Sequence, residues 1–361
     1  AGHAVVTTAA GLLGMLPKGL VLLISVSLAV GIITLSKKRV LVQELYALEA
    51  LAHVDTLCLD KTGTLTQGRM RVEAVYPTEL CNAALFAEWM GSFLRHSDDN
   101  NATFQALQAY FKTNVVRSPM RRIPFSSERK WSAMEFEDAG TFVIGAPERL
   151  GGGLPLYLQR EAQAGKRILT AGLAKGPVEP SLPLPSVEAL AYIVISDPIR
   201  PGAAETLAYF QKEGVALKLI SGDNPATVSA LAKQAGFPEA ERFIDMSGVT
   251  EEAEIERAAR SYSVFGRVSP LQKKLLVQAM QKNGHSVAMT GDGVNDLLAL
   301  KEADCSIAMA EGSDAARQVA QVVLLDSDFS VLPDIVGEGR RVVNNITRVA
   351  GVFFVKTIYS V

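Results

Sequence analysis

The sequence predicts an α/β fold: a doubly wound parallel sheet, a second α+β domain inserted into it, and apolar helices on both flanks. Three observations carry this reading. Short apolar runs ending at an acidic or small residue alternate with helix-like segments, which is the pattern of a parallel sheet with crossover helices. A long central stretch replaces that alternation with hairpin-like runs. The chain opens on an apolar run long enough to cross a membrane and closes on the beginning of another.

The 361 residues suffice for two or three domains. With 36 Lys and Arg against 38 Asp and Glu, the net charge is -2, so there is no basic field for nucleic-acid binding. Charged residues make up 20%, below the roughly 25% of an ordinary soluble domain, which implies a lipid-facing part. Cys58, Cys81 and Cys305 are odd in number and far apart, a pattern that fits reduced, packed thiols better than disulfides or zinc.

Taking the elements in order, Ala4 to Leu35 contains one charge, Lys18, and is expected to span the bilayer. The opening Ala1-Gly2-His3 is read as the interior of a longer, multi-pass protein. Lys37, Lys38 and Arg39 follow at once and place the downstream domains in the cytoplasm. Pro17, with Gly14 and Gly19 nearby, either kinks the span or frees carbonyls able to coordinate a cation. The expected organisation is a span over 1–35 and a stalk over 36–53. The sheet domain comprises 54–75 and 190–343, the inserted domain 76–189, and a next span begins over 344–361.

In the sheet domain, strands are expected at Val54 to Leu59, Val215 to Ile220, Ser286 to Met289, Cys305 to Met309 and Gln321 to Leu325. Asp60, Ser221-Gly222-Asp223 and Thr290-Gly291-Asp292 then fall at carboxyl ends of strands, where such sheets place their sites. In the inserted domain a helix is expected at Leu80 to Leu94, with hairpin runs at Arg121 to Phe125, Lys130 to Phe136 and Thr141 to Ala146. Gly176 to Pro185 is proline-rich and reads as an exposed return linker.

Asp60-Lys61-Thr62-Gly63-Thr64-Leu65-Thr66 sets a carboxylate before small residues whose N–H groups can cradle a phosphate. Asp60 is therefore a candidate nucleophile for phosphoryl transfer. Asp292 and Asp296 in Gly291-Asp292-Gly293-Val294-Asn295-Asp296 add carboxylates to the same crevice. An all-oxygen cluster beside a phosphate calls for Mg²⁺. Lys273 can supply a second positive charge.

These motifs, with Ser221-Gly222-Asp223-Asn224, Asp197-Pro198-Ile199-Arg200 and Phe265-Gly266-Arg267-Val268-Ser269-Pro270, resemble the P-type cation-transporting ATPases, in that family's order and along essentially the whole chain. The resemblance implies a haloacid-dehalogenase-like phosphorylation domain and an inserted nucleotide-binding domain. It implies phosphorylation of Asp60, Mg²⁺ held by Asp60, the Thr62 carbonyl, Asp292 and Asp296, and phosphoryl contacts from Thr62, Ser221, Gly222, Asp223, Lys273 and Asn295. ATP is implied to meet Phe125, Lys130, Gly145, Arg167 and Arg267. The family often reads Lys where Ile144 stands, and its pocket glutamate falls at Asn101, so altered ATP affinity is expected.

The span resembles the proline-broken fourth transmembrane helix of bacterial calcium-pump-like members, with Pro17 and Lys18 as transport-site candidates. It lacks the Cys-Pro-Cys of heavy-metal exporters. Lys18 stands where these members carry an acidic ligand, so loss of high-affinity calcium dependence is expected. The resemblance finds no actuator domain here, so transport is expected only from the longer protein. Two rivals remain: a soluble phosphatase of the same fold, disfavoured because Thr62 occupies its general-acid position, and a regulatory pump homologue.

Overall fold

The computed structural model describes residues 18–359 except 100, 113–116, 127, 138–139, 152 and 182, and does not describe the side chains of Lys18, Phe354 and residues 356–359. Pro17 and the Lys18 side chain, the transport-site candidates, thus lie outside the described residues. The chain begins with α1 (Lys18–Ser36), β1 (Val40–Val42), α2 (Ala47–His53) and β2 (Thr56–Asp60). There follow β3 (Arg71–Pro77), α3 (Ala83–His96), α4 (Ala102–Tyr110), β4 (Pro119–Ile123), β5 (Trp131–Phe136), β6 (Gly140–Gly145), α5 (Leu156–Gln163), β7 (Arg167–Ala174) and β8 (Val187–Ser196). Next come α6 (Ala203–Lys212), β9 (Ala216–Ile220), α7 (Pro225–Gln234), β10 (Phe243–Asp245), α8 (Glu252–Ser261), β11 (Val264–Gly266) and α9 (Pro270–Lys282). The last elements are β12 (Val287–Gly291), α10 (Leu297–Glu302), β13 (Cys305–Met309), α11 (Asp314–Val319), β14 (Val322–Leu324) and α12 (Leu332–Tyr359).

Two compact units result. Among the described residues, one holds the chain from 18 through Leu65, Arg200–Pro225 and the chain from Ala232 to 359; the other holds Thr66–Ile199 with Ala226–Leu231. The first is built on an eight-stranded sheet in the order β1-β14-β13-β12-β2-β9-β11-β10. All its pairings are parallel except that of β1 with β14. Every residue of β2, β12 and β13 is buried, as expected of strands covered on both faces, and this is why they read as unbroken apolar runs. Cys58, Ile220, Phe265, Val287 and Met289 pack with Leu276, Val277 and Met280 of α9 and Ile255 of α8 in one core.

The expected strands at Asp60, Ile220, Met289, Met309 and Leu325 are present within two residues. Three more, β1, β10 and β11, are only three residues long, too short to show a period. β1 ties part of the expected stalk to the sheet through Val40, Leu41 and Val42 opposite Leu324, Val323 and Val322.

In the second unit six antiparallel strands run β3-β8-β7-β6-β5-β4. Phe86, Trp89, Met90 and Phe93 of α3 and Phe104 of α4 cover one face of the sheet against Phe136, Phe142 and Ile193. Domain limits at 75/76 and 189/190 fall inside β3 and β8, which pair with each other through Tyr76 and Tyr192. The proline-rich stretch is a loop joining β7 and β8 within this unit rather than a return linker: Val178 is buried with Trp131 and Leu150, and Glu179 pairs with Arg121.

Gly19–Ser36 in α1 is the one helix among the described residues long and apolar enough to cross a membrane, about 27 Å at 1.5 Å per residue. It packs on α12, which runs unbroken through the expected 343/344 boundary. A side-chain carbon at Gly31 would lie 2.9 Å from Val342.

Candidate active site

Asp60 is the last residue of β2, flanked in the sheet by β9 and β12, whose carboxyl ends deliver Ser221 and Asp292 to the same edge. Beyond Asp60 the chain cannot continue as a strand. Thr62 is extended (φ -77, ψ 134) and Gly63 left-handed (φ 70), a turn glycine makes without steric penalty. The turn aims the Thr62 N–H at Asp60 Oδ2, 3.1 Å away.

Lys273 reaches this point from α9. Ser269 and Gln272 form a reciprocal capping box and Pro270 opens the helix, so the helix start and hence the lysine are fixed locally. Its Nζ donates to Asp60 Oδ1 at 2.6 Å and to Asp296 Oδ1 at 2.5 Å, with all three side chains under 10% exposed. A cation in the first turn of a helix opposes the helix dipole, so the two carboxylates are what keep it there. Asp296 is committed further, its Oδ2 accepting from Gly293 N at 3.1 Å.

Asp292 completes the cluster: one oxygen each of Asp60, Asp292 and Asp296 lie within 4.8 Å of one another. At about 4 Å two carboxylates repel by roughly 4 kcal/mol at an effective dielectric of 20. One ammonium leaves two surplus negative charges. Burial pushes Asp60 up to about 7, restrained by Lys273 and reinforced by Asp296 and Asp292. Burial and then Asp296 push Asp292 to about 6, with Lys273 and Arg200 opposing. Burial works against the Lys273 ammonium, and Asp60 and Asp296 outweigh it, so its pKa stands above the usual value. The donor set, all oxygen and electron-rich, fits a small divalent cation.

Glycine makes room for this cluster. A side-chain carbon at Gly63 would lie 1.7 Å from Asp292 Oδ2, and one at Gly291 would lie 2.6 Å from Asp296 Cβ. Ser221 is buried, its Oγ accepting from Asp223 N at 3.2 Å. Thr62, Gly222, Asp223 and Asn295 are exposed. Two residues outside the sequence-based set join them. Lys61, only 7% exposed, pairs with Asp223 at 2.8 Å, and Arg200 donates to Gly63 O at 2.8 Å.

The second unit holds a cavity of about 730 Å³ lined by Phe125, Lys130, Gly145 and Arg167 together with Asn101 and Ile144, a volume ample for a nucleotide. Phe125 is 45% exposed and therefore not a core aromatic. Lys130 has a left-handed backbone (φ 60), and a side-chain carbon at Gly145 would lie 2.6 Å from the Lys130 carbonyl. Asn101 caps α4 with its side chain accepting from Phe104 N, so its amide oxygen is already engaged. Arg167 Nη1 donates to Thr103 Oγ1 at 2.6 Å. Arg267 is not among the residues lining this cavity. It follows β11 of the first unit and pairs with Asp245 at 2.8 Å.

A parallel sheet with a buried aspartate at a strand end, a buried lysine bonded to it and two further carboxylates defines a class. The model of haloacid dehalogenase-like hydrolases matches residues 54–304, and the chain belongs to that family. Within it, the sequence is 51% identical over 359 residues to the probable cation-transporting ATPase exp7 of Streptococcus pneumoniae, covering 99% of this chain and 46% of that protein. It is 43% identical over 356 residues to the calcium-transporting ATPase CtpE of Mycobacterium bovis, covering 97% and 44%. A crystal structure of a zinc-transporting PIB-type ATPase in its E2.Pi state superposes with a TM-score of 0.70 at 20% identity, over 95% of this chain and 51% of that one, and shows a shared fold. The chain thus spans about half the length of the curated relatives it matches.

Proposed function

We propose that this chain is the energy-transducing part of an ATP-driven cation pump that works through a phosphorylated Asp60. The observation that carries the reading is the meeting of Asp60, Asp292 and Asp296 around Lys273 at one sheet edge. An Asp60 oxygen attacks the γ-phosphorus of ATP, forming an acyl phosphate as the bond to the β-phosphate oxygen breaks and ADP departs. Lys273 holds and orients the nucleophile, and Asp296, with both oxygens engaged, positions Lys273. Asp60, Asp292 and the Thr62 carbonyl would hold Mg²⁺, which when bound offsets charge on the transferring phosphoryl group. Ser221 and the exposed Thr62 and Asn295 face the arriving phosphoryl oxygens.

Thr62 takes the place where a phosphatase of this fold would carry a general acid and base, so water attack on the acyl phosphate is slow. This favours a pump over a soluble phosphatase. The second unit binds ATP, with Phe125 against adenine and Lys130 and Arg167 toward the phosphates. The setting is a cell membrane, crossed in part by α1, with Lys37, Lys38 and Arg39 on the cytoplasmic side with the catalytic units. The cargo is an inorganic cation, calcium being the first to test because CtpE bears that name.

Full-length protein given labelled ATP and Mg²⁺ acquires an acid-stable, hydroxylamine-labile phosphate on this reading, and Asp60→Asn abolishes it. Undiminished labelling of Asp60→Asn overturns the reading. Lys18, with Pro17, belongs to the transport site as a built-in counter-charge, since a charge at the centre of a span costs about 2.5 to 3.5 kcal/mol and must serve a purpose. Calcium then activates phosphorylation in Lys18→Glu and only weakly in the unaltered protein. Micromolar calcium activation with Lys18 in place excludes that role.

A further inference from the structure

We propose that Arg200 is a positioning residue for the divalent cation, clamping the two loop walls between which Asp292 is held. The inference rests on the catalytic reading above and adds a residue outside the carboxylate cluster. Asp292 is gripped from two sides by backbone. A side-chain carbon at Gly63 would lie 1.7 Å from Asp292 Oδ2, and one at Gly312 would lie 2.6 Å from the Asp292 carbonyl oxygen. Ser313 N also donates to that carbonyl at 2.7 Å. Neither wall leaves Asp292 room to move, provided the walls themselves stay in place.

Arg200 touches both walls. Its backbone N donates to Leu65 O at 3.0 Å, and its Nη2 donates to Gly63 O at 2.8 Å. The same nitrogen lies 3.7 Å from Glu311 Oε2, beside Gly312, with the arginine side chain only 10% exposed. One guanidinium therefore fastens the loop after the nucleophile to the loop after β13, and Asp292 is pressed between their glycines. Groups that fix a metal-holding side chain from outside its coordination sphere commonly set metal affinity. A purely electrostatic Arg200 acts in the opposite sense, since a positive charge near the carboxylates repels Mg²⁺. The two roles predict opposite signs.

The test is Mg²⁺ alone titrated against full-length, nucleotide-free protein, read as the rise in melting temperature, with Mg²⁺-dependent phosphorylation as a second readout. Arg200→Gln is expected to raise the half-saturating Mg²⁺ concentration about tenfold or more, in the range seen for outer-shell partners. Glu311→Gln is expected to raise it by less, and Arg200→Lys to fall between Arg200→Gln and the unaltered protein. Tighter or unchanged Mg²⁺ binding in Arg200→Gln overturns the clamp. Should Arg200→Gln fail to fold, Arg200→Lys and Glu311→Gln decide, and unchanged Mg²⁺ midpoints in both overturn it equally. Asp292→Asn separates the two levels. If it weakens Mg²⁺ and Arg200→Gln does not, the clamp fails alone; if Asp292→Asn has no effect either, the cation site itself is misplaced and the clamp falls with it.

Discussion

The crevice at Asp60 and the cavity at Phe125 are built on opposite principles. In the crevice, four charged side chains meet at the end of a buried strand and two of its carboxylates are each bonded to Lys273. In the cavity the lining is mostly apolar, and the cations at its rim are half exposed, Lys130 pairing with Glu148 at 3.6 Å across water-accessible surface. On the proposed function the crevice makes and breaks a covalent bond, which needs preorganised charge. On the same reading the cavity holds a flat ring, which needs area and access. The difference implies that single substitutions cost far more in the first region than in the second.

Lys273→Met tests the strong end of that contrast. It leaves Asp60 and Asp296 buried without their cation, and breaking a buried pair typically costs about 3 to 5 kcal/mol. Phosphorylation is expected to fall by orders of magnitude and the melting temperature to drop. A Lys273→Met protein with normal thermal stability would show that the ion pairs at 2.5 and 2.6 Å do not hold in solution. Phe125→Ala tests the weak end. The ring is 45% exposed, so its loss leaves the fold intact and weakens ATP binding by about 1 to 3 kcal/mol, the usual worth of a base stacked on an aromatic. Equal ATP affinity by calorimetry in full-length protein would remove Phe125 from the binding surface. An isolated 76–189 segment is unsuited to the measurement because it cuts β3 and β8.

The same contrast governs what the amino-acid sequence makes legible. The crevice can be read from it because its residues sit on strong local signals. Asp60 ends an apolar run, Gly63 marks a turn, and Ser269-Pro270-Leu271-Gln272 spells the helix start that carries Lys273. The parts that stay hidden depend on partners distant in the chain. Arg200 meets Gly63 across 137 positions and Lys61 meets Asp223 across more than 150, and neither spacing has a local signature. Val178 is core although its proline-rich neighbourhood reads as solvent, because burial of this loop residue is set by Trp131 on β5. Arg267 resembles a nucleotide contact by motif, and its pairing with Asp245 across 22 positions has no local signature either.

The last comparison concerns protons, because the crevice gathers three carboxylates around one ammonium. Asp60 and Asp292 are raised from 3.8 to about 7 and about 6. For a carboxyl raised on folding, the folded state keeps its proton longer than the unfolded chain. The stability linked to it is therefore fully present below the unfolded value and is lost as pH rises toward the folded one. Without Mg²⁺, the protein is expected to lose stability between about pH 4 and pH 7 from these two groups. Mg²⁺ binds the ionised carboxylates and reverses that loss, so the stabilisation it confers grows with pH across the same window. Melting curves at pH 5.5 and pH 7.5, each with and without Mg²⁺, read this directly at about 2 to 4 °C per kcal/mol for a unit of this size. The increment is expected to be larger at pH 7.5 and to shrink in Asp292→Asn. ATP-dependent stabilisation through the Phe125 cavity, measured in Asp60→Asn without Mg²⁺, is expected to change less over the same interval. An Mg²⁺ increment that is equal at both pH values, or larger at pH 5.5, would mean that Asp60 and Asp292 do not bind the cation as one site.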